Sequence, residues 1–315
     1  MAVAGMFLKL SVCVSVLCAC GALTVGPADR PVALVVIDVQ NCFVPGGENP
    51  VPGGADVIPV INGLRERYGD GLDLVVMSQD WHCADHVSFT SQHPGYSNFE
   101  VMELDYDSQG ALCTGPSPYA VNCTGSVAHR LNQTLWPDHC VINTTGAEFH
   151  PQLTTEPTDL VVQKGYRCEV CAEFHPQLTT EPSDLVVQKG YRCEVDSYSA
   201  FFDNGGFRQT ELDSLLRQRQ VRSLIITGLA LDFCVFYTAL DGRRLGYDTY
   251  VVRDAARGIT PAGVERAMAE MEAAGVSVIR AEDVGRVLGV SGSAGLAGPA
   301  AVTVLACLTA VLTSY

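Results

Sequence analysis

VALVVID, at residues 32–38, is an unbroken apolar run rich in β-branched residues that ends on an aspartate. Comparable runs recur downstream as LDLVVMS (to Ser78), DLVVQK (twice), VRSLIITG (to Gly228), DTYVVRD (to Asp254) and VSVIR (to Arg280). Amphipathic stretches of helical length separate them, near residues 55–68, 209–219, 233–245 and 261–274. Apolar strands that alternate with helices are typical of a buried parallel sheet covered on both faces. The chain is therefore predicted to adopt an α/β fold.

The composition excludes several classes of protein. The chain has 315 residues, 47% of them hydrophobic and 17% charged. That length can bury a full core, and the apolar content is too high for a disordered chain or a collagen. With 35 acidic and 20 basic residues the net charge is −15, which argues against binding to nucleic acid or to anionic lipid.

Reactive side chains follow several of the predicted strands. Asp38 ends the first run, Gln79 and Asp80 follow the second, and a lysine ends each DLVVQK run. Ligand and catalytic sites of open parallel sheets form at the carboxyl ends of the strands. We therefore expect these residues, together with the segment after Gly228, to meet in one site.

One group of candidate residues has the character of a metal site. Asp80 and His82 lie two residues apart, so that in extended chain both side chains point to the same side. His86 follows shortly, and His139 comes later in the segment WPDHC. A carboxylate and imidazoles suit a divalent transition metal. A polar loop without a metal is the alternative interpretation.

Cys234 is a candidate nucleophile because it lies at the predicted start of a helix, after GLALDF. A helix N-terminus lowers the pKa of a thiol, and its N–H groups can also stabilise an oxyanion. The alternative is a buried structural cysteine. Asp38 as proton acceptor, a strand-end lysine as cation and Cys234 as nucleophile would form a consistent covalent catalyst.

A block of 24 residues occurs twice with one difference, at residues 147–170 and 172–195, where Thr158 becomes Ser183. Two copies are too few for a solenoid, so the repeat indicates a recent tandem duplication or an error in the gene model. Each copy contains DLVVQK, ending in Lys164 or Lys189. Because one sheet position accepts one strand, we expect the other copy to lie outside the core as an insertion.

Both ends of the chain have the pattern of processing signals. Residues 1–24 carry Lys9, a short apolar run and small residues, which predicts a signal peptide. A buried N-terminal strand or lipidation at Cys20 are the alternatives. Residues 289–315 combine small residues, a spacer and an apolar tail, which predicts a glycolipid (GPI) anchor signal. A membrane helix or a disordered hydrophobic tail are the alternatives there.

Three glycosylation sequons also indicate the secretory pathway, and they begin at Asn122, Asn132 and Asn143. The predicted protein is extracellular and held at the cell surface, in contact with the membrane only through the anchor or tail. Removing the four cysteines of the two end segments leaves nine, an odd number, in an oxidising compartment. Cys113 and Cys123, which flank a Gly/Pro/Ser-rich loop, are the first predicted disulfide.

Several motifs together resemble the nicotinamidases of the isochorismatase-like hydrolase superfamily: VVIDVQNCF, SQDWHCADHVSF, WPDHC, VVQKG, DSYSAFFDN and GLALDFCV. They occur in the family's order and spacing over about residues 32–279. The resemblance implies a three-layer αβα sandwich with a mainly parallel sheet. It also implies one hydrolase domain at residues 25–288, with the duplication at residues 147–195 inside it. The implied activity is hydrolysis of nicotinamide to nicotinate and ammonia, with one divalent metal ion, Zn, Fe or Mn.

The resemblance also assigns roles to individual residues. A triad of Asp38, a lysine and Cys234 is implied, with the Ala230 and Cys234 N–H groups at the oxyanion and a cis peptide at Leu229–Ala230. The implied metal ligands are Asp80, His82 and His139, with His86 as a fourth ligand or a supporting group. Phe43, Trp136 and Tyr198 match positions that line the pyridine pocket.

Position selects between the two lysines. Lys189 keeps the family's link to DSYSAFFDN, whereas Lys164 keeps only the upstream link to WPDHC, so Lys189 is predicted to be catalytic. Two features depart from the family. Cys42 stands where the family has aspartate, in N-D-F, and a glycan on Asn143 would crowd the pocket rim.

Three other functions compete with nicotinamide hydrolysis. A related cysteine amidohydrolase would act on a carbamoyl or ureido substrate, but it has no need of the metal residues. Isochorismatase chemistry needs neither the cysteine nor the metal. A catalytically dead, surface-anchored binding protein would result if Cys234 were trapped in a disulfide with Cys42 or another thiol. The sequence is compatible with a monomer and with a homo-oligomer.

Overall fold

The computed structural model describes residues 30–113, 120–121, 123, 127–164, 186–188 and 193–290. The predicted signal peptide, the tail beyond residue 290, Asn122 and Lys189 lie outside these ranges. Within the described ranges nine strands are defined: β1 (Val32–Ile37), β2 (Leu74–Asp80), β3 (Val101–Tyr106), β4 (His129–Thr134), β5 (Leu160–Lys164), β6 (Val186–Gln188), β7 (Ser223–Leu229), β8 (Asp248–Arg257) and β9 (Ser277–Ile279). Seven of them form one sheet in the order β6-β5-β2-β1-β7-β8-β9, in which every pairing is parallel.

Helices cover both faces of this sheet. They are α1 (Val57–Tyr68), α2 (Leu212–Gln218), α3 (Phe236–Arg244), α4 (Pro261–Ala273) and α5 (Val284–Val287). Alternate residues of β1 point to opposite sides: Ala33, Val35 and Ile37 share a core with α2, α3 and α4. The intervening Val32, Leu34 and Val36 share the other core with α1 and α5. The predicted three-layer αβα sandwich is therefore confirmed, and the four predicted helices lie within a few residues of their expected bounds.

Each copy of the duplicated block contributes one strand to the sheet. β5 belongs to the first copy and β6 to the second, and the two strands pair in parallel at the edge of the sheet. An open sheet edge offers unpaired backbone groups to a further strand, and the expectation that one copy lies outside the core stays a prediction. The first copy takes the position beside β2, and there Leu160 is buried in the core.

A buried ion pair anchors the first copy at that position. The two terminal guanidinium nitrogens of Arg65, on α1, donate to Asp159: Nη1 at 2.7 Å and Nη2 at 3.0 Å. Both side chains are buried, with 6% and 3% of their surfaces exposed. The partner of Asp159 in the second copy is Asp184, which lies outside the described residues. Asp159 therefore fixes the chain immediately before β5.

The hairpin of β3 and β4 was not predicted. Its strands pair antiparallel, and Leu104 and Tyr106 belong to a small core that also includes Val87 and Val195. The alternation of Met102, Leu104 and Tyr106 with acidic residues was the available signal. The predicted disulfide between Cys113 and Cys123 is confirmed in the connection that follows β3. Within the residues that the structure describes, no helix has the length and apolar content to cross a membrane.

Candidate active site

The carboxyl ends of β1 and β2 bring two buried aspartates together. Asp38 follows β1 with a left-handed φ of 49°, and its Oδ1 accepts a hydrogen bond of 2.6 Å from the Ser78 hydroxyl. Asp80 ends β2 and is 5% exposed. The amide of Gln40 fixes this strand end, because it accepts from the Asp80 N–H at 2.8 Å and donates to the Asp80 carbonyl at 2.7 Å. Gln40 was not predicted to have a role.

Cys234 lies in a π-helical turn, Leu231–Val235, that precedes α3. The peptide bond between Leu229 and Ala230 is cis, as the resemblance implied. Cys234 is a buried thiol, and its sulfur, an oxygen of Asp38 and an oxygen of Asp80 all lie within 4.8 Å of one another. The predicted meeting of the strand ends with the segment after Gly228 is therefore confirmed for these three residues.

Asp232 holds the turn that contains Cys234 in place. This carboxylate is 1% exposed and accepts from the N–H groups of Ile259 and Thr260, at 2.9 and 3.1 Å. It thereby ties the cysteine turn to the residues just before α4. Sequence reasoning did not identify Asp232, since its role depends on backbone groups that lie 27 and 28 residues away.

The four candidate metal ligands are also brought together. Asp80, His82 and His139 each offer one ligand atom within 4.8 Å of the other two, and all three are buried. The Nε2 atoms of His82 and His139 lie 3.7 and 3.8 Å from the same Asp80 oxygen. The His86 ring stacks beside that of His82, with the ring centroids 4.1 Å apart.

The donor set fits a divalent transition metal. His139 Nδ1 donates to the Pro137 carbonyl at 2.7 Å, which leaves the Nε2 lone pair directed towards Asp80. Nε2 of His86 is buried and has no hydrogen-bond partner among the described residues, so it remains available to a ligand. Two imidazoles and a carboxylate suit zinc, iron or manganese.

His86 lies beside the candidate ligands. Its Nδ1 lies 2.8 Å from the Ser88 hydroxyl oxygen and 3.3 Å from the Ser88 backbone nitrogen, which ties the ring to its own loop. Burial, and then repulsion from His82 and His139, hold the pKa of His86 well below its usual range. The fourth-ligand role and the supporting role of His86 both stay predictions.

Aromatic rings wall the small pocket in front of these residues. Trp136 meets Phe233 edge to face with the centroids 4.8 Å apart, and Phe43 lies 5.4 Å from the His139 ring. The predicted Phe43, Trp136 and Tyr198 all line the pocket. Four further lining residues were not predicted: Asn49, Asp196, Phe233 and Ile259.

Tyr198 is held as a neutral phenol. Its oxygen accepts from the Trp136 indole and from the Gln133 amide, both at 3.3 Å. Burial, and then the charge of Asp196, raise the pKa of Tyr198 well above its usual range. The phenol therefore presents a fixed, uncharged wall to the pocket at neutral pH.

Two disulfides lie next to the candidate ligands. Cys42 is bonded to Cys140, and Cys83 is bonded to Cys193. The proposed trap of Cys234 by Cys42 was therefore wrong, because Cys42 is joined to another sulfur and Cys234 keeps its thiol. The reason is proximity: the Cα atoms of Cys42 and Cys140 are 5.5 Å apart, a normal separation for a disulfide.

The remaining predicted site residues are the two lysines and the sequons. Lys164 ends β5 and is paired in register with Asp80 of β2, whereas Lys189 lies outside the described residues, so its assignment stays a prediction. Asn132 and Asn143 are exposed, and Asn143 has a left-handed φ of 64°.

Comparisons with known proteins agree with this geometry. The family model for the isochorismatase domain matches residues 32–168, which include nearly all of the first copy, and again residues 167–283, which include the second copy. A nicotinamidase of Escherichia coli is 38% identical over 255 residues, which cover 80% of this chain and 96% of the relative.

Two solved structures share the fold. A nicotinamidase/pyrazinamidase of Acinetobacter baumanii has a TM-score of 0.61 at 34% identity and covers 81% of this chain and 98% of its own. A pyrazinamidase of Pyrococcus horikoshii in complex with zinc has a TM-score of 0.52 at 28% identity and covers 80% of this chain and 99% of its own. With the family model matched over most of its length and nicotinamidases among its relatives, the chain belongs to the isochorismatase family of hydrolases.

Proposed function

We propose that the protein hydrolyses nicotinamide to nicotinate and ammonia. The observation that carries the proposal is the convergence of the Cys234 sulfur with the carboxylates of Asp38 and Asp80 within 4.8 Å, beside an aromatic-walled pocket that Asp80 and Cys234 line. A thiol beside a buried carboxylate is the arrangement that covalent amide hydrolysis requires. Flat aromatic walls suit a flat heterocyclic ring.

The chain's own residues supply the covalent steps. Asp38 takes the thiol proton, and the sulfur of Cys234 attacks the carboxamide carbon. The backbone N–H groups of Ala230 and Cys234 stabilise the oxyanion. Asp38 returns the proton to the departing nitrogen, so that ammonia leaves and a thioester remains. Water then cleaves the thioester, giving nicotinate and restoring the thiol.

Asp80, His82 and His139 are the residues that would hold a divalent metal. When bound, the ion supplies a Lewis acid for the pyridine nitrogen of the substrate. The aromatic walls orient the ring, while Gln40 holds Asp80 and the Pro137 carbonyl holds the His139 tautomer. These contacts fix the ligands before substrate binds.

In place of the predicted Lys189, we infer that Lys164 is the lysine of the triad. β5 adjoins β2, and Lys164 ends it at the same edge of the sheet as Asp80. β6 lies one strand further from β1, which ends at Asp38. Neighbouring strands are about 4.8 Å apart, so the end of β6 lies about one strand spacing farther from β1 than the end of β5 does.

Ammonia release from nicotinamide tests the proposed function. Wild-type protein is expected to release ammonia, and C234A to lose at least about 10⁴-fold in kcat with its metal content unchanged. Full activity of C234A would refute the covalent route. Faster hydrolysis of an N-carbamoyl or ureido substrate than of nicotinamide would instead favour the related amidohydrolase.

We also propose that the protein follows the secretory pathway and is anchored to a lipid at the cell surface. The support is the pattern of residues 1–24 and 289–315, the exposed sequons at Asn132 and Asn143, and three disulfides among the described residues. Treating intact cells with a phospholipase specific for phosphatidylinositol should release the activity. Activity that stays with the cells, or in the cytosol, would refute the anchor.

A further inference from the structure

The segments that carry His82 and His139 have little regular structure. His82 follows the end of β2, and His139 lies between β4 and β5. Backbone hydrogen bonds join them at two places. The His82 N–H donates to the Cys140 carbonyl at 3.1 Å and the Ile142 N–H to the His82 carbonyl at 2.9 Å, while Trp136 exchanges two bonds of 2.8 Å with Ser88 and Thr90. These bonds join backbone groups and do not themselves set the separation of the two imidazole rings.

A disulfide is adjacent to each of these histidines. Cys140 directly follows His139 and is bonded to Cys42, which directly precedes the pocket residue Phe43. Cys83 directly follows His82 and is bonded to Cys193. All four cysteines are buried, with at most 4% of their surface exposed.

Each disulfide joins a ligand segment to a different wall of the pocket. Cys42 is in the turn Asn41–Phe43, and the Phe43 ring lies 5.4 Å from that of His139. On the other side, the Cys193 carbonyl accepts from the Val87 N–H at 2.8 Å, close to His86. Cys193 also precedes the segment that carries Asp196 and Tyr198 in the pocket wall.

We propose that the disulfides Cys42–Cys140 and Cys83–Cys193 are positioning elements of the metal site, which hold His139 and His82 at the separation that a divalent ion requires. This inference rests on the proposed metal site. Groups that orient metal ligands typically change affinity by about 10- to 100-fold when they are removed.

The test compares disulfides of the same protein. C42A/C140A removes the bond beside His139, and C113A/C123A removes the bond of the β3–β4 connection, which lies in a different part of the fold. Full-length variants would be loaded with Zn²⁺, and the zinc affinity measured by competition with a chelator, at a temperature where circular dichroism shows each one folded. C42A/C140A is expected to bind zinc about 10- to 100-fold more weakly, with C113A/C123A unchanged.

The outcomes distinguish a failure of this inference from a failure of the metal site itself. Equal zinc affinity in C42A/C140A, C113A/C123A and wild type would overturn the inference while leaving the metal site intact. A wild-type protein that binds no zinc, iron or manganese would overturn the metal site and this inference with it. If C42A/C140A does not fold, C83A/C193A is measured in its place. The same loss of zinc affinity is expected for C83A/C193A, and an unchanged zinc affinity would contradict the inference.

Discussion

Removing the carboxylate of Asp159 should destabilise the protein, whereas removing that of Asp184 should not. The two aspartates occupy the same position in the two copies of the duplicated block. The two terminal guanidinium nitrogens of Arg65 both donate to Asp159, so Arg65 does not need a second aspartate as its partner. The comparison therefore asks which copy holds the sheet position beside β2.

The expected loss in the free energy of unfolding follows from the burial of this ion pair. Breaking a buried ion pair by removing one partner costs about 3–5 kcal/mol, because the other charge is left buried. Glu156 also lies 3.2 Å from Arg65, but it is 58% exposed and compensates only in part. We therefore expect D159A to lose about 3 kcal/mol, near the lower limit of that range. For a domain of this size the loss corresponds to a fall in Tm of about 6–12 °C.

Thermal or urea unfolding followed by circular dichroism measures the effect. D184A is the matched control, since it makes the same chemical change at the equivalent position, and we expect a change below about 0.5 kcal/mol. Equal losses in the two variants, or a larger loss in D184A, would refute the assignment of the first copy to the sheet position beside β2. D159N, which keeps the shape of the side chain and removes its charge, should fall between wild type and D159A.

Three further changes test the site. K164A should lower kcat for ammonia release by at least about 100-fold, whereas K189A should leave kcat near the wild-type value. A large loss in K189A with little change in K164A would instead assign the catalytic lysine to the second copy. H139A should bind less metal, as measured by elemental analysis, and should have a higher KM for nicotinamide; an unchanged metal content would exclude His139 as a ligand. D232N should lose about 1–3 kcal/mol in unfolding experiments, because one of two backbone N–H groups loses its acceptor, and a neutral result would exclude that anchoring role.

Much of the fold could be read from the sequence because its strands are continuously apolar. A run such as residues 32–37 can be buried on both faces only inside a helix-covered parallel sheet, and the two cores on either side of β1 are the result. The same logic located Asp38 and Asp80, since strand ends of a parallel sheet meet at one edge. These predictions needed only local sequence and one rule of topology.

Contacts between distant parts of the chain were not predictable in the same way. Gln40 and Asp232 act on backbone groups of other segments, which carry no signature in the sequence. The disulfide between Cys113 and Cys123 spans 10 residues and was predicted, whereas Cys42–Cys140 spans 98 and was not. Sequence proximity limits the choices for the first pair, while only the folded chain brings the second pair together.

The duplication fits this fold because of where its two ends are anchored. Upstream, Asp159 and Leu160 of the first copy hold the chain against α1 and the core. Downstream, Cys193 of the second copy is bonded to Cys83 and leads into the pocket wall. The additional residues therefore lie between β5 and Cys193, where β6 occupies the open edge of the sheet and leaves the order of the inner strands unchanged. The chain that enters this region of the fold and the chain that leaves it thus belong to different copies.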